Sequence, residues 1–336
     1  MKRNPFVWKF VWVFLSVFLA VGLTMPAAAA ITATSPFQSA SLADPVPPAF
    51  SFVSSIAYYD GNLVYAGDDQ KIYTYDIASG TSTELWDLSG DANFGFGPSG
   101  FLVSFDDYLY FLDNGNTKKI YRIDLTAPGA PEELDTGANG SIFGFTQNPF
   151  TDAIWFASAD FGVPNNMYLY RVNADFGGVT QSGSGFPQPN GGGNGPIIFT
   201  GETTLLYGES NFFTGVGYFH LVDSNTGAIT TPNYLTFVGG LASADYGYDD
   251  LIFATTGNGK QIFELQGTTK TAVASTTDAA QGIVFGGNPL YVSEMKDTGE
   301  VSFSTLERVS TDTTEKKRDG GGGGGCFIGT AVQGKM

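Results

Sequence analysis

Cysteine is almost missing from this chain: Cys326 is the only one in 336 residues. No disulfide can form within the chain, so the fold must be held by its core. Histidine is as scarce, with His220 alone. That excludes a multi-histidine metal centre and leaves a single candidate for any Ser-His-Asp arrangement. Positive charge is short as well: 16 Lys and Arg stand against 33 Asp and Glu, a formal charge of −17. Nucleic-acid binding needs a basic face that displaces counterions, so no nucleic-acid partner is expected. Nucleotide loops are missing too. Gly191 to Gly193 lack the Lys and Ser/Thr of a phosphate loop. Gly95 to Gly100 match G-x-G-x-x-G, but an apolar strand follows them where a helix would be required.

What the chain does have is a repeat. A short apolar run recurs as Leu63-Val64-Tyr65, Leu109-Tyr110-Phe111, Ile154-Trp155-Phe156, Leu205-Leu206-Tyr207, Leu251-Ile252-Phe253 and Leu290-Tyr291-Val292, at intervals of 46, 45, 51, 46 and 39 residues. A second run follows: Ile72 to Asp76, Ile120 to Asp124, Met167 to Arg171, Tyr218 to Val222 and Ile262 to Gln266. Its second residue is always Tyr or Phe (Tyr73, Tyr121, Tyr168, Phe219, Phe263) and its fourth is Tyr, Ile or Leu. A period of two puts both on one buried face of a strand. The third column holds Thr74, Arg122, Leu169, His220 and Glu264. A column so mixed reads as a variable, partly exposed face and gives His220 a structural role.

A further apolar stretch precedes each first run, at 56–59, 101–105, 142–145, 197–200, 240–244 and 282–285. We label these strands A, the first runs B, the second runs C, and polar stretches such as 83–88 D, at the rim. Four strands in about 44 residues is the length of one propeller blade. The fold expected is all-β, a single propeller, with six four-stranded blades in residues 50–315. Asp76 to Gly80 and Asp223 to Gly227 read as C–D hairpin turns, and 182–195 as the longest loop. The sixth copy is ragged at Val301 to Leu306, as an end repeat that must close a ring can be. The repeats resemble generic propeller blades of the NHL and YWTD-like kind. The Asp-box pattern of sialidase propellers and the tryptophan-rich repeat of quinoprotein propellers are absent.

Outside the repeats, Lys2, Arg3 and Lys9 precede an apolar stretch and then Ala27 to Ala30. This is the pattern of a secretory signal peptide over residues 1–30. Removing its three positive charges, with no acids, takes the formal charge from −17 to −20. Residues 31–49 are rich in Pro, Ser and Thr and read as a lead-in without a core of its own. Residues 316–336 hold six consecutive glycines, Gly320 to Gly325, then Cys326-Phe327-Ile328-Gly329-Thr330-Ala331. Such a glycine run is a flexible linker. This tail resembles the bacterial CFI-box sorting tails, although Gly329 stands where that family carries Ala and the tail is shorter. The resemblance implies export, recognition by an envelope sorting machinery, and Cys326 as the handle. The destination expected is the cell surface or the medium, with the periplasm as a further compartment.

The B–C turns carry the candidate chemistry: Asp68, Asp69, Asp113, Asn116, Asp160, Asn166, Asn211, Phe212 and Asn258. In a propeller these turns gather at one mouth of the axial channel. Hard cations take oxygen ligands of this kind, so Asp68, Asp113 and Asp160 are the candidates for a divalent cation such as calcium. No organic cofactor is expected. Asp and Asn are also good turn formers. With no catalytic motif in view, the function expected is a non-enzymatic binding or adhesion module at the cell envelope, with a glycan or surface protein bound at the mouth. The alternative is a carbohydrate-active hydrolase or lyase using carboxylates there.

Overall fold

The computed structural model describes residues 31–46, 55–67, 69–90, 99–112, 118–160, 166–190, 193–211 and 214–309. These residues form strands almost throughout; the single short 3-10 turn among them is Tyr248–Asp250. Two strands come first, β1 (Ile31–Ala33) and β2 (Phe37–Ala43). Blade one is β3 (Ile56–Tyr59), β4 (Asn62–Ala66), β5 (Lys71–Asp76) and β6 (Thr81–Asp87). Blade two is β7 (Ser99–Phe105), β8 (Tyr108–Leu112), β9 (Lys119–Asp124) and β10 (Glu132–Asp135). Blade three is β11 (Ser141–Asn148), β12 (Ala153–Asp160), β13 (Asn166–Val172) and β14 (Val179–Pro187). Blade four is β15 (Gly193–Phe199), β16 (Thr204–Asn211), β17 (Val216–Asp223) and β18 (Ala228–Val238). Blade five is β19 (Leu241–Tyr246), β20 (Ile252–Thr256), β21 (Gln261–Gln266) and β22 (Thr269–Thr276). Blade six brings β23 (Ala279–Phe285), β24 (Leu290–Met295) and β25 (Val301–Arg308).

Each blade is an antiparallel sheet in chain order, and the innermost strands β3, β7, β11, β15, β19 and β23 touch in sequence around a closed ring. This is the six-bladed β-propeller expected from the repeat.

The ring is closed by the residues read as a lead-in. Strand β2 pairs antiparallel with β25, from Phe37 opposite Arg308 to Ala43 opposite Phe303, and so supplies the outer strand of blade six. Strand β1 adds a fifth strand to blade five, with Ile31 opposite Thr276. Ile31, Phe37 and Val46 are buried. The reading of 31–49 as a segment without a core is therefore corrected over 31–46. Its polar composition is that of a rim strand, which buries one side chain in several and takes most of its stability from the ladder. The 182–195 loop is corrected likewise, because β14 and β15 occupy much of it. Its glycines permit this. Gly183 has φ +63° and sits so close to the Thr226 carbonyl that a Cβ would collide.

The core is divided into six clusters, one between each pair of adjacent blades. Strands B and C bury both faces for this reason, one toward each neighbouring blade. Tyr73, Tyr121, Phe219 and Phe263 are buried as expected, whereas Tyr168 is half-buried. The cause is register. Tyr73 stands opposite Tyr65, and Tyr121 opposite Phe111; the residue opposite Phe156 is Tyr170, and opposite Tyr207 it is His220. A one-residue slip exchanges the two faces of a strand. His220 thus belongs to the aromatic column and is fully buried, which corrects its placement on a variable, partly exposed face.

The C–D turns are built as expected. Asp76 Oδ1 accepts the Ser79 N–H at 2.8 Å, and Gly80 closes the turn at φ +69°. Asp223 Oδ1 accepts the Asn225 N–H at 2.8 Å, with Gly227 at φ +62°.

Candidate functional site

In a four-stranded meander the B–C turns and the D–A crossovers leave at one end of the propeller, and the A–B turns at the other. Of the residues expected at the B–C mouth, Asp68, Asp113, Asn116 and Phe212 lie outside the described residues, as does Cys326. The others are held as turn and strand-end residues. Asp69 accepts the Tyr73 hydroxyl and, at 3.3 Å, the Lys71 N–H. Asp160 is exposed at the end of β12, opposite half-buried Asn166. Asn211 accepts the Thr214 N–H at 3.0 Å and donates to the Asn190 carbonyl at 3.0 Å. Asn258 is exposed, and its N–H reaches the Gly239 carbonyl at 3.0 Å. Among the described residues no three His, Cys, Asp or Glu side chains converge on one point.

Acids are as frequent at the opposite end. Asp60, Asp106, Asp107, Asp152, Asp249 and Asp250 fill A–B turns with positive φ, a conformation Asp tolerates better than most residues. Acid-rich turns therefore mark both faces and do not single out one mouth.

The structure reveals buried carboxyl groups that the turn argument missed. Glu209, near the end of β16, is completely buried. It accepts the His220 Nε2–H at 2.9 Å, the Asn190 N–H at 3.1 Å and the Asn190 Nδ2–H at 3.1 Å. His220 Nδ1 accepts the Asn233 N–H at 2.9 Å, which fixes the neutral tautomer with its proton on Nε2. Tyr207 and Tyr218 stack on the imidazole. Both ring nitrogens are spent, so His220 is not available to take a proton from a substrate or to ligate a metal. The pair instead fastens Asn190, in the crossover arriving from blade three, onto blade four.

Glu209 is four residues beyond Leu205, which opens its first apolar run. The same position in blade six is Glu294, and in blade three Ser158. Ser158 Oγ donates to the Asn139 carbonyl at 2.6 Å, again in the incoming crossover. This column was readable in the sequence once the B strands were aligned. Glu294 is completely buried but weakly held, by Ser304 Oγ at 3.3 Å and the Asp278 N–H at 3.5 Å. Burial pushes its carboxyl up to about 7, and the nearby charge of Asp278 adds to the effect.

The third group is Asp245, on the inner strand of blade five. Its carboxyl accepts the Phe285 N–H at 2.9 Å from the inner strand of blade six, and the Tyr246 N–H at 2.8 Å. Ser243, two residues earlier on the same strand face, accepts the Ile283 N–H at 3.3 Å. These bonds stitch two inner strands side by side. Asp245 is half-buried near the A–B end of this inner strand. Crowding by surrounding protein nonetheless raises its carboxyl to about 7, against the two N–H bonds that favour ionisation.

No protein-family model matches the chain, and no curated protein sequence matches it. Solved structures do match. A gluconolactonase from Xanthomonas campestris superposes with a TM-score of 0.62 at 16% identity, covering 82% of this chain and 91% of its own. A luciferin-regenerating enzyme superposes at 0.55 with 13% identity, covering 81% and 95%. A streptogramin B lyase superposes at 0.50 with 15% identity, covering 81% and 97%. The shared fold is the β-propeller.

These neighbours correct the expectation of a non-enzymatic module. That expectation rested on finding no catalytic motif. Propellers named as enzymes share this fold at 13–16% identity. The missing motif therefore says nothing against catalysis.

Proposed function

We propose that this chain is a hydrolase or lyase of a carbohydrate-derived substrate, such as a sugar lactone or glycoside, working by proton transfer at the axial channel. The observation that carries this reading is Asp245. General acid–base catalysis works best with a group whose pKa lies near the working pH, and perturbed carboxyls in clefts mark functional sites. Asp245 meets the first condition, being raised to about 7, and it lies half-buried on the inner ring. The fold shared with a gluconolactonase and a streptogramin B lyase is compatible with a hydrolase or lyase. Backbone donors from Tyr246 and Phe285 orient the carboxyl, and Asp245 gives or takes the proton.

The test is a panel of sugar lactones and nitrophenyl glycosides with the parent and with Asp245→Asn. Activity in the parent, falling about 100-fold or more in the variant while its circular dichroism is unchanged, is the expected result. An inert parent, or a variant as active as the parent, removes the proposal.

The signal-peptide pattern and the tail around Cys326 support export followed by retention at the envelope, and this location forms part of the same proposal. A divalent cation between Asp68, Asp113 and Asp160 is retained as a proposed neutralising partner of the B–C turns, whose carboxylates would otherwise repel one another.

A further inference from the structure

The A–B turn of blade five reaches further than a simple hairpin. In blades one and two, two residues suffice, 60–61 between Tyr59 and its partner Asn62 and 106–107 between Phe105 and its partner Tyr108. In blade five the turn is 247–251, between Tyr246 and its partner Ile252. It starts hard against the core: a Cβ on Gly247 would lie 2.4 Å from the Phe253 ring. Asp249 and Asp250 follow at φ +55° and +57°, a left-handed pair that persists only where the surroundings fix it. Arg308, at the end of β25 in blade six, supplies the hold. Its guanidinium pairs with Asp249 and, at 3.2 Å, with Glu264 of β21.

Tyr248 carries this turn across to blade six. Its ring meets Phe285 of β23 edge-on, with centroids 5.2 Å apart, and Phe37 of β2 at 5.9 Å. Its hydroxyl lies 2.8 Å from Asn288 Oδ1 and 3.1 Å from the Leu306 carbonyl of β25, one hydrogen serving both. On its own blade the ring packs edge-on against Phe253 at 6.1 Å. One side chain thus ties blade five to the inner and outer strands of blade six. Two of the rings it touches also define the place of Asp245. That residue stands opposite Phe253 in the ladder of blade five, and its carboxyl accepts the Phe285 N–H from blade six at 2.9 Å. The Asp245 bond spans the gap that Tyr248 bridges.

We infer that Tyr248 is a positioning residue for Asp245: it fixes the spacing of the inner strands β19 and β23, across which the Asp245 carboxyl is held. It acts through Phe253 and Phe285. The neighbouring stitch, Ser243 to the Ile283 N–H, is longer at 3.3 Å and lies further from the turn, so Tyr248 bears most directly on the Asp245 end. Proton transfer needs a carboxyl kept in one orientation, and such orientation comes from packing and bonds behind the reacting group. The catalytic consequence of Tyr248 rests on the enzymatic reading, whereas its hold on the Asp245–Phe285 bond does not.

The experiment compares the parent with Tyr248→Phe, Tyr248→Ala and Tyr59→Phe. Deuterium exchange at the Phe285 amide reports the bond to Asp245 directly. Exchange there should quicken about 10-fold in Tyr248→Phe, the equivalent of roughly one lost hydrogen bond, and more in Tyr248→Ala. Tyr248→Phe keeps the ring, so it decides the matter if Tyr248→Ala folds poorly. Tyr59→Phe removes the bond to Asp107 that joins blades one and two, and it should leave Phe285 unchanged. On a sugar lactone that the parent turns over, kcat should fall about 10-fold or more in Tyr248→Phe while KM holds. Unchanged exchange in both Tyr248 variants overturns the inference, as does an equal rise in Tyr59→Phe. Quickened exchange with kcat unchanged overturns the positioning role in catalysis. A parent inert toward every sugar lactone removes the enzymatic reading, and exchange at Phe285 alone then decides whether Tyr248 holds Asp245.

Discussion

Two carboxyl groups make the pH dependence of stability legible at the level of single residues. Asp245 and Glu294 are both raised to about 7 from ordinary values of 3.8 and 4.5. The folded protein therefore binds more protons than the unfolded chain between those limits. The contribution is fully present below the ordinary values and is lost as pH rises through about 7. In chelator, the Tm should be higher at pH 5 than at pH 8, and Asp245→Asn with Glu294→Gln should flatten that slope. An equal slope in parent and double variant would show that other groups set it. Phe263 and His220 illustrate two kinds of core cost. Phe263→Ala should lose about 3–5 kcal/mol by opening a cavity between blades four and five. His220→Ala should lose a similar amount, because it empties the space between two tyrosine rings and strips a donor from buried Glu209. Urea unfolding of each variant measures both.

At the scale of elements, the strand that decides the architecture is one that buries little. Strand β2 spans Phe37–Ala43, of which only Phe37 is buried. It joins the first part of the chain to the last, and pairing across so long a loop is costly in chain entropy. A chain truncated to begin at residue 44 should leave β25 as an outer edge paired only with β24 and remove the contact between Phe37 and Phe253. Its unfolding transition should broaden and fall in temperature, and the β25 amides that face β2 should exchange freely with deuterium. Retention of the parent's transition would mean that closure is carried by the inner ring alone. The crossovers form the second device. Ser158, Glu209 and Glu294 each receive the connection from the preceding blade at the same step of strand B, so one position in the repeat holds the blades in order.

For the whole molecule, the six separate cores mean that stability is a sum over interfaces joined into a ring, as in other repeat folds. The surface carries strong negative charge, and the tail beyond the ring carries the one thiol. If Cys326 is the sorting handle, a Cys326→Ala protein should leave the envelope fraction and collect in the medium. Identical fractionation of parent and variant would remove that role.

The sequence by itself determined the number of blades and the order of strands within them. An apolar period of two, repeated about every 44 residues, has few other solutions. It also determined the C–D turns, since Asp followed by Gly at a fixed step carries its own local geometry. Only the tertiary structure decided which end strand closes the ring, because a rim strand buries too little to carry a hydrophobic signature. It likewise decided the face of His220, because the pairing of β17 with β16 sets it opposite Tyr207, and a one-residue change of register exchanges faces without changing composition. Among 33 acids, aligned B strands place Glu294 with Glu209, but the desolvation of Glu294 and of Asp245 was not legible, for a related reason. What distinguishes them is the desolvation imposed by neighbouring blades, and that belongs to no local stretch of chain.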